Sequence, residues 1–206
     1  MQNLKHKFIK QCDITADILN NCEEQFGVGG LKPIIYIANE ESILGYTFDA
    51  NNEYVTDINL SSSPNGEFFK WENVEFQNEA HATFNLGDNL NYTHSIVMKL
   101  RAPTAERLSQ FHKLAGARVV VIIQSRIQNN PVLPTLPENR IYLFGAFNAL
   151  RMTNGSSDFG PGQDVLSGFS ITLEGYETKP EFEIRPLPAT YTSTTPISEF
   201  LGIITV

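Results

Sequence analysis

Four histidines and two cysteines are the side chains of this 206-residue chain best suited to metal ligation or nucleophilic chemistry. His6, His81, His94 and His112 stand far apart, and none pairs with another His, a Cys or a carboxylate at the intervals of HxxxH or CxxC. A metal centre needs ligands that converge from one helix face or turn, so no metal-ligating residue is expected. His94 shares parity with the apolar residues of its segment and His112 sits on the apolar edge of a helical pattern. Both read as structural groups whose ring nitrogens find hydrogen-bond partners. Cys12 and Cys22 lie in the N-terminal segment and read as free thiols of a reducing compartment.

The glycine-rich segments offer no phosphate cradle. Gly27-Val28-Gly29-Gly30 follows a helical pattern instead of opening one, and no helix follows Gly160-Pro161-Gly162. Phosphate binding needs backbone N–H groups at a helix N-terminus. No GxSxG is present to set a serine nucleophile on a tight turn. Asp49-Ala50-Asn51-Asn52-Glu53 carries oxygen ligands but lacks the spacing and turn glycine of a calcium loop, and reads as a polar turn. The carboxylate pair of a glycosidase comes from distant positions and leaves no local mark. The expectation is a chain without catalytic, cofactor-binding or metal residues, hence not an enzyme and with no cofactor.

The elements that would position any site are mostly strands. Tyr54 to Leu60 alternates, with Tyr54, Thr56, Ile58 and Leu60 on one side. Ala80, Ala82, Phe84 and Leu86, then Leu90, Tyr92, His94, Ile96, Met98 and Leu100, form the dry faces of a hairpin around Gly87-Asp88-Asn89. After Pro103-Thr104, apolar positions Leu108, Phe111, His112 and Ala115 recur at helical spacing, predicting a helix over 104–115 that Gly116 stops. The run Arg118 to Gln124 is apolar on both parities and β-branched, as in a strand buried on two sides.

Further strands are predicted over 31–38, 67–77, 117–127, 140–150 and 167–176, with a short run at 182–184. Pro33 marks a sheet edge or a strand start. The Phe69/Trp71 and Val74/Phe76 pairs differ in parity, which demands a bulge or bend near Glu72-Asn73. Long loops are expected at 39–53, 128–139 and 153–168. A short helix is expected over 13–26, where Ile14, Ile18, Cys22 and Phe26 recur at four-residue spacing. The predicted architecture is a mainly β, antiparallel sandwich or barrel spanning 31–185 with one flanking helix, and extended arms at 1–30 and 186–206. Its expected core includes Phe84, Tyr92, Ile96, Met98, Leu108, Phe111, Val119, Val121, Phe144, Phe169 and Ile171.

Hydrophobic residues make up 41% of the chain and aromatics 11%, enough to fold a domain of this size without disulfides or metal. No apolar run reaches the roughly 18 to 20 residues of a membrane span or the length of a secretory core at the N-terminus, so no membrane association is expected. The net charge of −8 is unevenly placed. Residues 1–10 carry three lysines and no acid, 11–88 carry 14 acids against Lys32 and Lys70, and 89–206 carry 9 acids and 10 bases. Confined acidity repels DNA and offers one face for a more basic face on another copy, with Arg101, Arg107, Lys113, Arg118, Arg126, Arg140 and Arg151 as candidates for the latter.

The block His94 to Arg126 (HSIVMKLRAPTAERLSQFHKLAGARVVVIIQSR), followed by RIYLFGAFNALRM and GFSITLEGYETKPEF, resembles tail-tube-type virion proteins of bacteriophages over roughly residues 80–185. The likeness lies in the order and texture of the elements. It implies a β-sandwich or barrel with a helix between two central strands, and arms and a hairpin that bind neighbouring subunits. It also implies a homo-oligomeric ring, a hexamer, stacked into a tube through which DNA passes without specific binding. Localisation would be the virion, after synthesis in the host cytoplasm, with other phage tail or neck proteins as partners. A head-to-tail connector or neck ring protein shares these features, and a β-sandwich module binding a small ligand or glycan is the alternative of another class.

Overall fold

A computed structural model describes residues 30–62, 66–74, 77–85, 91–101, 104–128, 139–158 and 168–185. The arms expected at 1–30 and 186–206 therefore lie outside the described residues, Gly30 excepted, as do Gly160-Pro161-Gly162 and the turn at Gly87-Asp88-Asn89.

Among the described residues the chain is mainly β with one α-helix. In order, the elements are β1 (Leu31–Asn39), a 3-10 turn (Glu40–Ser42), β2 (Ile43–Phe48), β3 (Tyr54–Leu60), β4 (Phe69–Glu72), β5 (Glu79–Asn85) and β6 (Asn91–Arg101). The helix α1 (Ala105–Gly116) follows, then β7 (Val119–Gln128), β8 (Asn139–Phe144), β9 (Arg151–Asp158), β10 (Gly168–Glu177) and β11 (Phe182–Ile184). Seven strands form one sheet in the order β2-β3-β11-β8-β7-β1-β4, and four form a second in the order β5-β6-β10-β9. Every pairing is antiparallel except β3 with β11.

The two-sided apolar run of β7 explains the layering. Val119, Val121 and Ile123 enter a core shared with Ile96, Met98, Phe169, Ile171 and Leu173 of the four-stranded sheet. Val120 and Ile122 enter a second core with Val55, Ile58, Leu143 and Phe182, all within the seven-stranded sheet. That sheet is rolled. In a flat sheet β1 and β2 would lie about 24 Å apart at about 4.8 Å per strand step, yet four residue steps join Asn39 to Ile43 and reach at most about 15 Å. Rolling lets one sheet line its own core on one face and pack on the other sheet with its opposite face.

Among the described strands the chain crosses between the sheets four times: from β4 to β5, from β6 through α1 to β7, from β8 to β9, and from β10 to β11. Polar side chains fasten these crossings. At the first, buried Asn78 donates from Nδ2 to the Val74 carbonyl (2.9 Å) and accepts from Lys99 N–H at Oδ1 (3.1 Å). At the second, Thr104 caps α1, its Oγ1 accepting from Arg107 N–H at 3.3 Å.

The structure corrects several sequence expectations. The segment 39–53 is not a loop but contains β2, and 153–168 begins inside β9. Neither strand alternates cleanly: Leu44 points outward, 71% exposed, and β9 reads Arg-Met-Thr-Asn-Gly-Ser-Ser-Asp. The strand predicted over 67–77 ends at Glu72. Its change of parity marks a crossing, because Asn73 N–H still bonds the Pro33 carbonyl of β1 while Val74 N–H bonds the Lys99 carbonyl of β6. Pro33 stands near the start of β1, as one of its two expected readings had it, but in an interior strand and not at an edge; it falls in the stretch from Leu31 to Ile35 where the β1–β7 register shifts, an irregularity that suits a residue without an N–H. The strand predicted over 140–150 stops at Phe144, and Leu150 forms an isolated bridge to Val119.

Of the expected core, Ile96, Met98, Val119, Val121, Phe144, Phe169 and Ile171 are buried. Phe84 is exposed: Ala80 and Ala82 pack on the core, while the Phe84 ring lies 5.0 Å from that of Tyr92 across the hairpin. Tyr92 is half-buried. The helix is rotated from its expected phase. Leu114 is its buried residue and Phe111 is half-buried against Phe169 (ring centroids 5.1 Å), while Leu108, His112 and Ala115 are exposed. It also runs through Gly116, with Ala117 as C-cap.

Candidate functional site

The residues considered for chemistry are dispersed in the structure. His6, Cys12 and Cys22 lie outside the described residues. His81 is exposed, its Nε2 3.4 Å from the Glu79 carboxylate. His112 is exposed on α1 and not on its apolar edge. His94 is buried, with its ring edge-on to Phe144; Nδ1 accepts from Gly145 N–H at 3.3 Å and Nε2 has no partner among the described residues. Burial pushes its pKa down to about 4 against a weaker opposing effect of the Lys179 backbone, so the ring is neutral near pH 7. Among the described residues no three His, Cys, Asp or Glu side chains converge as a metal site.

The segment Asp49 to Glu53 is the polar turn between β2 and β3. The Asp49 carboxylate accepts from the backbone N–H of Asn51 (2.9 Å), Glu53 (2.6 Å) and Tyr54 (3.0 Å). Desolvation opposes ionisation, and these backbone bonds hold the carboxyl below its usual value. Its oxygens serve the turn, in which Asn52 adopts φ 56°.

The strongest polar constellation surrounds the third crossing, residues 145–149. Glu177, 2% exposed, accepts at its carboxylate from the N–H of Phe147 (3.2 Å) and Asn148 (2.9 Å). Asn148 Nδ2 donates to the Tyr176 carbonyl (2.8 Å), and Arg118 donates to the Asn148 carbonyl (2.9 Å) while forming a two-point ion pair with Glu40 (2.7 and 2.8 Å). Burial raises the Glu177 pKa, the two N–H bonds lower it, and Glu40 adds repulsion, with a net rise. Burial and then Glu177 and Glu40 raise the pKa of nearby Tyr46. Every group here has a partner inside the fold, so the constellation joins sheets. Arg118, one of the bases expected to face another copy, is engaged within its own chain.

Two surface features lack such an internal role. The first is a half-open groove of about 890 Å³ between α1 and the β1–β4 edge. Ile37, Trp71, Phe111, Leu114 and Phe169 form its floor, and Lys70, Glu72, Glu106, Arg107 and Lys113 its rim. Trp71 and Phe111 are only half-buried, and Phe69 at the groove is 38% exposed. The pieces come from residues 37 to 171 of the chain, so no local motif announced the groove.

The second is the edge strand β2. Among the described residues it pairs only with β3. Its sequence, Ile43-Leu44-Gly45-Tyr46-Thr47-Phe48, holds no charge, and edge strands ordinarily carry charge or proline to prevent pairing with other chains. The adjoining turn and strand carry Asp49, Glu53 and Asp57, whereas the β4 edge carries Lys70 beside Arg107 and Lys113, against Glu72 and Glu106. The turn beside β2 is therefore acidic, and the β4 edge carries both signs. No helix among the described residues is long and apolar enough to cross a membrane. Searches against family models, curated proteins and solved structures return no match.

Proposed function

We propose that this chain is a virion structural protein, a self-associating subunit of a phage tail tube or tail ring, and not an enzyme. The observation that carries the reading is the uncharged edge of β2, which no other described strand pairs. An uncharged strand at the edge of the described sheet, with Leu44 exposed, is a template for another chain and a hazard to a protein that stays monomeric. The block of resemblance supports the same reading, because β6, α1 and β7 place one helix on the flank between strands of the two sheets.

Unlike ends of one subunit join head to tail, which closes into a ring or runs on as a filament. Acid confined to part of the chain suits a lumen through which DNA slides without being held. A sixfold ring, partners in the tail or neck, and residence in the virion follow from the resemblance. A connector ring at the neck is the nearest alternative. A ligand- or glycan-binding module is favoured only by the groove beside α1.

Light scattering with negative-stain microscopy across a range of salt and protein concentrations tests the proposal. Rings or tubes are expected, with little affinity for DNA at physiological salt. Leu44→Lys, a charge placed on the open edge, should abolish them while shifting the monomer's melting temperature by less than about 2 °C. A strict monomer at every concentration, with virion partners present, sinks the proposal and promotes the ligand-binding module.

A further inference from the structure

The groove beside α1 has a candidate occupant in the chain itself. Residues 11–26 carry Asp13, Asp17, Glu23 and Glu24 and no base, with Ile14, Ile18, Cys22 and Phe26 at four-residue spacing. The groove offers the complement: an apolar floor with incompletely buried aromatics, and a rim with Lys70, Arg107 and Lys113 against Glu72 and Glu106. An amphipathic helix laid apolar face down in a groove is a recurrent mode of recognition.

Length and direction agree with this. A helix over 13–26 is about 21 Å long, and β1 covers about 20 Å between Leu31 and the groove residue Ile37. The connector Gly27-Val28-Gly29-Gly30 spans up to about 14 Å, and Gly30 adopts φ +107°, a conformation suited to reversing the chain. A reversal there carries the helix back beside β4, the terminal strand next to β1, toward Phe69 and the groove. We propose that residues 11–26 dock as an acidic amphipathic helix in the groove of their own chain, alongside α1.

The thiols supply the test, because Cys12 and Cys22 are the only cysteines of the chain. In the 206-residue protein, Cys22 on the apolar stripe should be alkylated by iodoacetamide at least about tenfold more slowly than Cys12. Lys70→Glu with Lys113→Glu should bring the two rates within about twofold, with circular dichroism confirming the fold. In Cys12→Ser/Gln110→Cys, mild oxidation should join Cys22 to the introduced thiol within one chain, giving a compact band of monomer mass on a non-reducing gel. Cys12→Ser/Leu44→Cys should give no such band. Equal alkylation of the two native thiols, or no cross-link in the groove variant, overturns the proposal. A band of dimer mass overturns the own-chain assignment. Microscopy of the same samples scores ring formation separately, so failure of the docking and failure of the proposed assembly are distinguishable.

Discussion

Glu177 on β10 of the four-stranded sheet holds the backbone N–H of Asn148 at 2.9 Å, in the turn by which the chain arrives from the seven-stranded sheet. A buried carboxylate is costly unless its oxygens are satisfied, and here the turn's own N–H groups satisfy it. Glu177→Ala would leave the Phe147 and Asn148 donors without an acceptor and should cost about 1 to 3 kcal/mol in chemical denaturation. Glu177→Gln keeps one acceptor oxygen and should cost less. Equal stability of all three proteins would mean that the turn is held by other contacts.

His94 ties stability to pH. Its folded pKa of about 4 lies below the ordinary 6.5, so the unfolded chain binds the proton first as pH falls. The neutral ring's contribution is therefore complete above about pH 6.5 and is lost progressively toward pH 4. Glu177 acts in the opposite sense: its raised pKa makes the fold hold a proton longer, so its contribution declines as pH rises past the ordinary carboxylate value. Urea midpoints measured from pH 4 to pH 7 should show a slope in the native protein that is reduced in His94→Gln. An unchanged slope would place the acid sensitivity elsewhere.

The rotation of α1 separates two neighbouring residues. Phe111 stacks on Phe169, so Phe111→Ala should cost about 2 to 4 kcal/mol, less than for a fully enclosed ring. Leu108 is exposed, and Leu108→Ser should stay within about 0.5 kcal/mol. Thermal melts of the two variants should differ clearly; the reverse order would restore the stripe expected from the sequence.

Gly175 faces His94 across the β6–β10 ladder and lies under the third crossing. A Cβ there would stand 2.4 Å from the Ala149 carbonyl oxygen, and this backbone is held by Glu177 and by the Leu150–Val119 bridge. Gly175→Ala should cost about 1 to 3 kcal/mol, measured by denaturant midpoint. A neutral result would show that the turn can lift away from β10.

How legible each element was depends on where its information resides. The β7 run Val119 to Ile123 is apolar on both parities and is covered on both faces, so pattern and burial coincide. β3 and the β5–β6 hairpin were readable for the same reason, since each turns one face to a core. β2 and β9 were not: an outward Leu44 and a row of small polar residues obey the needs of a sheet edge, which the one-dimensional pattern does not record. On α1, the stripes Leu108-Phe111-Ala115 and Phe111-Leu114 share a residue, and packing on β9 and β10 chose the second. The groove joins β1, β4, α1 and β10, so its existence is a property of topology.

One small strand has a consequence for synthesis. β11, three residues long, lies between β3 and β8, so among the described strands the β2–β3 hairpin joins the rest of its sheet only through Phe182–Ile184. A ribosome that has made Val55 must add about 130 more residues before Ile184 appears, on the order of ten seconds at about 5 to 20 residues per second. Throughout that interval the nascent hairpin has no third strand, and its apolar face is available to any neighbouring polypeptide. Protection of this hairpin by a chaperone, or rapid capture by an already folded copy, would therefore govern the yield of native subunits.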